Sequence, residues 1–208
     1  MSDDAQHSEA PPVSSGRAYP IERRLVVAVA SSALFDLAES DGVFRESGRD
    51  AYRTHQWDRR SQPLPAGVAL PFVRRLLSLN DVFPDDPPVE VVLLSRNSPE
   101  TGLRVFASIA HHGLAITRAA FTNGQAPWPW LPGFGTSLFL SADPRDVIES
   151  LAAGHAAGTV LPSAAVDDPD DRELRVAFDF DGVLADDESE RVYRDRGIEA
   201  YREHESAL

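Results

Sequence analysis

Apolar and polar positions along this chain fall into blocks that switch between two periods. Leu25-Val-Val-Ala-Val-Ala30 is a continuous apolar run rich in β-branched residues, and Val89-Glu-Val-Val-Leu-Leu94 is a second, interrupted only by Glu90. Runs of this length and composition predict strands covered on both faces. Shorter runs predict further strands over residues 115–121, 136–140 and 158–161. Between them the spacing becomes helical. Residues 47–57 predict a helix, and residues 69–79 place Phe72, Val73, Leu76 and Leu77 on one face. A helix over 100–112 takes Ser98 as its N-cap and Gly113 as its terminating residue. Another over 144–154 carries Pro144 in its first turn. Pro63-Leu-Pro-Ala-Gly67 predicts a turn. Strands alternating with helices at these lengths imply an α/β fold built on a doubly wound, mostly parallel sheet.

Composition narrows the function classes. The chain is 42% hydrophobic and 25% charged, which suffices for a packed soluble domain. A formal net charge of −13 leaves no basic stripe for a nucleic acid polymer or an anionic membrane. The absence of cysteine removes disulfides, thiolate catalysis and cysteine-ligated metals. No apolar stretch has the length of a membrane span. Residues 1–20 are acidic and rich in Ser, Pro and Ala, which predicts a disordered tail rather than a signal peptide and a cytoplasmic location. All 20 basic residues are arginine, so no lysine is available to catalysis. The resulting organisation is a tail (1–20), a first domain (25–161), an acidic, proline-containing linker (162–172) and a second unit (173–208).

The second unit repeats the start of the first. Displaced by 149 positions, residues 24–56 lie on residues 173–205 without a gap. Leu25, Val27 and Ala28 meet Leu174, Val176 and Ala177, while Gly48, Ala51, Tyr52, Arg53 and His55 meet Gly197, Ala200, Tyr201, Arg202 and His204. The decisive difference follows the first strand, where Asp179 lies opposite Ala30, Asp181 opposite Ser32 and Gly182 opposite Ala33. The apolar run 174–178 predicts a buried strand that delivers both acids to its carboxyl end, where open α/β sheets build their ligand sites. Residues two apart in an extended segment project to the same side, so the carboxylates form a pair. A calcium loop does not fit, because the glycine comes one residue after the second acid and a strand precedes it.

A strand followed by Asp179-Phe-Asp-Gly-Val183 resembles the first motif of the haloacid-dehalogenase-like (HAD) phosphohydrolases. The likeness extends over most of the chain to the cytosolic type-I 5′-nucleotidase family, through Ser31-Ser-Ala-Leu-Phe35, Val91-Val-Leu-Leu-Ser-Arg-Asn-Ser98, Thr101-Gly-Leu-Arg-Val105, Leu138-Phe-Leu-Ser-Ala-Asp143 and Asp187-Glu-Ser-Glu190. The resemblance implies a HAD-like (Rossmann-type) domain without catalytic acids, followed by the first strand and helix of a second, catalytic HAD-like unit. It also implies Mg²⁺-dependent hydrolysis of nucleoside 5′-monophosphates, with Asp179 as nucleophile and metal ligand. Asp181 would be the general acid/base and a second metal ligand through its carbonyl.

Such enzymes further require a Ser/Thr after the next strand, a lysine and an acidic pair, which in this family follow the Asp-x-Asp motif and lie beyond this sequence. In the first copy Ser95 falls at the Ser/Thr position, Trp128 where the lysine is expected, and Ser141-Ala-Asp143 where the acids are expected. Arg118 and Arg145 are the candidate substitutes for a cation, and Ser95, Arg96 and Asn97 the candidate substrate contacts from this copy. Trp128, Trp130 and Phe134 are read as packing a loop, and His111-His112 as a helix end. Two other functions stay open. One is a non-catalytic interaction or regulatory fragment, completed in a homo-oligomer or by another chain, and the other is hydrolysis of a different phosphomonoester.

Overall fold

The computed structural model describes residues 23–179 and 188–206, and the chain divides into two compact units, Met1–Arg172 and Glu173–Leu208. In the first unit five strands form one sheet: β1 (Leu25–Val29), β2 (Val89–Ser95), β3 (Arg118–Phe121), β4 (Leu138–Ser141) and β5 (Ala157–Thr159). Their order is β3-β2-β1-β4-β5, and every pairing is parallel. β1 therefore sits centrally, with Val27 in register with Val91 on one side and Leu138 on the other. Val26–Val29 and Val91–Leu94 are fully buried, as a strand with helices on both faces requires. One face packs Val26, Ala28, Ala30, Val92 and Leu94 with Leu131 and Phe139.

Eight helices surround or follow the sheet among the described residues. α1 (Ser31–Leu34) is a single turn that ends β1, and α2 (Ala38–Asp58) and α3 (Leu70–Val82) lead to β2. α3 buries Leu70, Val73, Leu76 and Leu77, close to the predicted face, while Phe72 stays half-buried. α4 (Pro99–His111) starts where Ser98 Oγ accepts the amide of Thr101 and ends before Gly113, whose φ of 65° suits a terminating glycine. α5 (Leu131–Phe134) is short, and α6 (Pro144–Ala152) begins on Asp143, whose carboxylate accepts the amide of Arg145. α7 (Glu188–Arg196) and α8 (Ile198–Glu205) belong to the second unit.

Three differences from the expected elements have physical causes. The predicted strand over 115–121 pairs only from Arg118, because Leu114 and Ile116 are buried as loop residues. α2 begins nine residues before the predicted position 47, because its first half is polar and buries only Ser40, which leaves no apolar period to read. The predicted buried strand over 174–178 is corrected: these residues have no regular structure, and Val176 and Phe178 are 52% and 67% exposed. A strand exists only where neighbours satisfy its backbone groups, and the described residues of the second unit contain no other strand. The acidic segment 162–172 has no regular structure either, but Asp167 binds Arg74 at 2.6 Å and Arg75 at 3.0 Å on α3.

The repeat reappears in three dimensions. α2 is kinked at Gly48 (φ 77°, ψ −171°), and Gly197 between α7 and α8 has φ 84° and ψ −177°. Only glycine occupies this region without strain. Phe44 and Tyr52 cross the first kink edge-to-face at 5.8 Å, and Tyr193 and Tyr201, their counterparts at the same offset, do so at 6.1 Å.

Candidate functional site

The carboxyl ends of the five parallel strands open on one cleft of about 1490 Å³. Its floor is Ala30–Ser32 after β1 and Ser95–Ser98 after β2, with Gly124, Asp143 and Val160 following the other three strands. β1 connects onward to β2 on one side and its neighbour β4 connects to β5 on the other, so the connections of these adjacent strands leave in opposite directions, the geometry that opens a crevice at the strand ends. The kinked α2 supplies a wall with Asp41, Phe44, Arg49, Tyr52 and Arg53.

Ser95 and Asn97 meet at the floor with Ser31. Asn97 Oδ1 accepts Ser31 Oγ at 2.8 Å and Ser95 Oγ at 2.5 Å, and the two serine oxygens are 2.7 Å apart. Asn97 Nδ2 donates to Tyr52 OH at 3.2 Å and to Thr101 Oγ1 at 3.3 Å. Burial pushes the Tyr52 phenol upward, against the lowering effect of its hydrogen bond with Gln56. The phenol therefore stays neutral. This network closes on itself: among the described residues no carboxylate or imidazole touches either serine, so none of them activates either hydroxyl as a nucleophile.

Arg96 leaves the floor and pairs with Asp146, with Nη2 at 2.5 Å, and its Nη1 donates to the carbonyl of Gly124 at 3.0 Å. Burial raises the Asp146 pKa, and Arg96 offsets part of that shift. Asp143 is held below the usual carboxylate range, chiefly by the hydrogen bond from Arg145. The candidate cations are thus committed. Arg145 pairs with Asp143 at 2.8 Å, and Arg118 pairs with buried Glu90 on β2 while lying over the Phe134 ring. Trp130 and Phe134 pack against the core, and His112 bonds the carbonyl of Leu64 at 2.9 Å and stacks on Phe35.

Of the sequence candidates, Ser95 and Asn97 therefore meet at the cleft floor of the first unit, and Arg96 between them in sequence turns away to Asp146. Asp179 lies exposed in the second unit, and Asp181 is outside the described residues. Sequence reasoning missed Asp41, Phe44, Arg49, Tyr52 and Asp146. Tyr52 and its counterpart Tyr201 carried the one available signal, a shared position in the repeat.

The alignment of the two copies places the acid pair in one and Ala30 and Ser32 in the other, and the family model for 5′-nucleotidase matches residues 17–208. The chain belongs to the 5′-nucleotidase family. It is 31% identical over 187 residues to cytosolic 5′-nucleotidase 1B of Homo sapiens, across 88% of this chain and 31% of the human protein. It thus spans under a third of the length of that 5′-nucleotidase. No solved structure gives a significant match. Among the described residues no helix is long and apolar enough to cross a membrane.

Proposed function

We propose that this chain carries the nucleophile of a cytosolic, Mg²⁺-dependent 5′-nucleotidase, and that the chemistry belongs to Asp179 and Asp181. One observation carries this reading. Two copies of a unit share a glycine kink and an aromatic pair, yet only the second ends its first segment in Asp179-x-Asp181. In the proposed reaction the Asp179 carboxylate attacks the phosphorus of a nucleoside 5′-monophosphate while Asp181 protonates the departing 5′-oxygen. Water then attacks the aspartyl-phosphate, gives its proton to Asp181 and releases phosphate. A carboxylate oxygen from Asp179 and the main-chain carbonyl of Asp181 are hard oxygen donors of the kind Mg²⁺ takes, whereas Ala30 offers no carboxylate. When bound, Mg²⁺ would offset the like charges of carboxylate and phosphate. The first unit, whose serines close on Asn97, acts as a non-hydrolytic partner domain.

The test measures phosphate release from AMP, IMP and a sugar phosphate with Mg²⁺, using the 208-residue chain and a C-terminally extended one. Release is expected to fall by roughly 10⁴-fold or more in Asp179→Asn and to stop with EDTA. Turnover that survives Asp179→Asn would overturn the assignment, and a preference for the sugar phosphate would overturn the substrate class.

A further inference from the structure

We propose that the cleft of the first unit is a second nucleotide site, which holds a nucleoside 5′-monophosphate without hydrolysing it. The cleft lies where parallel sheets place ligands, and its volume exceeds what a mononucleotide needs. Three kinds of group line it, each suited to one part of the ligand. For the phosphate there is Arg49, an exposed arginine on the α2 wall that no carboxylate of the described residues engages. Its Nη2 lies 3.9 Å from the position that a Cβ on Gly124 would take, and Arg96 donates to the Gly124 carbonyl, so two guanidinium groups reach the same loop residue. Half-buried Ser32 lines the same cleft, and its hydroxyl has no hydrogen bond among the described residues. For the base there is the Phe44 ring, 49% exposed and braced edge-to-face by Tyr52. For the ribose hydroxyls there is the Asp41 carboxylate one turn away on the same helix.

The same residues explain why the bound ester persists. Ala30 and Ser32 replace the acids at the strand end, and Ser31 and Ser95 are spent on Asn97. Without a carboxylate nucleophile and an acid to protonate the leaving oxygen, the phosphate ester is held and not cleaved. Loss of the carboxylates also removes the like charge that would repel phosphate in the absence of a cation.

The experiment titrates the 208-residue chain carrying Asp179→Asn with AMP, adenosine and inorganic phosphate, by calorimetry or ligand-observed NMR. This background separates the proposal from the hydrolytic reading, which is judged by phosphate release alone. AMP is expected to bind about tenfold or more tightly than adenosine or phosphate. Arg49→Glu and Phe44→Ala, both at exposed positions, should each weaken AMP about tenfold with the circular dichroism spectrum unchanged. Ser32→Asp should weaken AMP while leaving adenosine unaffected. AMP binding that ignores Arg49→Glu and Phe44→Ala would overturn the site. Phosphate binding as tightly as AMP would overturn the ligand class, and no AMP binding at millimolar concentration would overturn the proposal outright.

Discussion

At the scale of the residue, two polar contacts show how this acidic chain manages buried charge. Glu90 is the second residue of β2, with an 8% exposed side chain, and both its oxygens accept from Arg118 on the neighbouring strand. A forked guanidinium matched to a carboxylate satisfies both groups together. Arg118→Leu would remove both of these charge-assisted hydrogen bonds from a buried carboxylate and should cost about 3 kcal/mol in chemical denaturation. Adding Glu90→Leu should recover most of that loss, and a double variant less stable than Arg118→Leu would contradict the account. Asp143 presents the opposite situation at the start of α6. Its pKa is lowered by Arg145, so its contribution is present above its ordinary value of 3.8 and is lost as pH falls through the lowered folded value. Asp143→Ala should therefore cost about 1 kcal/mol at neutral pH. The gap to the unaltered chain should shrink when melting is repeated below 3.8.

At the scale of the element, the glycine kink in α2 carries the greatest consequence. Gly48 has no neighbour within 4 Å of a Cβ, so space does not require glycine there, but φ of 77° does. Gly48→Ala should destabilise by about 2 kcal/mol. Gly42→Ala, in the regular first half of the same helix, should instead stabilise by about 0.5 kcal/mol. Equal effects in thermal melts would mean that the kink is not held by glycine. The elements that could be read in advance were those that declare themselves locally. β1 is an uninterrupted apolar run, β2 is broken only by Glu90 before its closing serine, and α4 carries its own cap and terminator. Residues 174–178 match β1 at Leu174, Val176 and Ala177, with Arg175 where β1 has Val26, yet a strand depends on partners that the string does not contain. The site divides in the same way. Ser95, Arg96 and Asn97 follow a legible strand, whereas Asp41, Phe44, Arg49 and Tyr52 face the cleft only because α2 bends over the strand ends.

At the scale of the whole molecule, all five strands and the cores around them lie before Arg172. Asp167, which clasps Arg74 and Arg75, lies on the same side of that boundary. A chain ending at Arg172 should therefore melt cooperatively, within about 0.5 kcal/mol of the first unit in the longer chain. A loss of cooperativity would show that the first unit leans on residues 173–208 for its core. The truncated chain should also retain AMP binding at its cleft and show no phosphate release, since both acids leave with the second unit.

The paired kinks also bear on how this sequence can change over time. Gly48 follows Ala30, and Gly197 follows Asp179, by the same eighteen positions (48 − 30 and 197 − 179). Many substitutions have accumulated between the copies within that interval, the acids among them, but no residue has been gained or lost. The interval therefore behaves as a gauge of fixed length, which tolerates new letters and resists insertions or deletions. A library of single-residue insertions should find tolerated sites in surface loops such as 83–87 and none between Ala30 and Gly48.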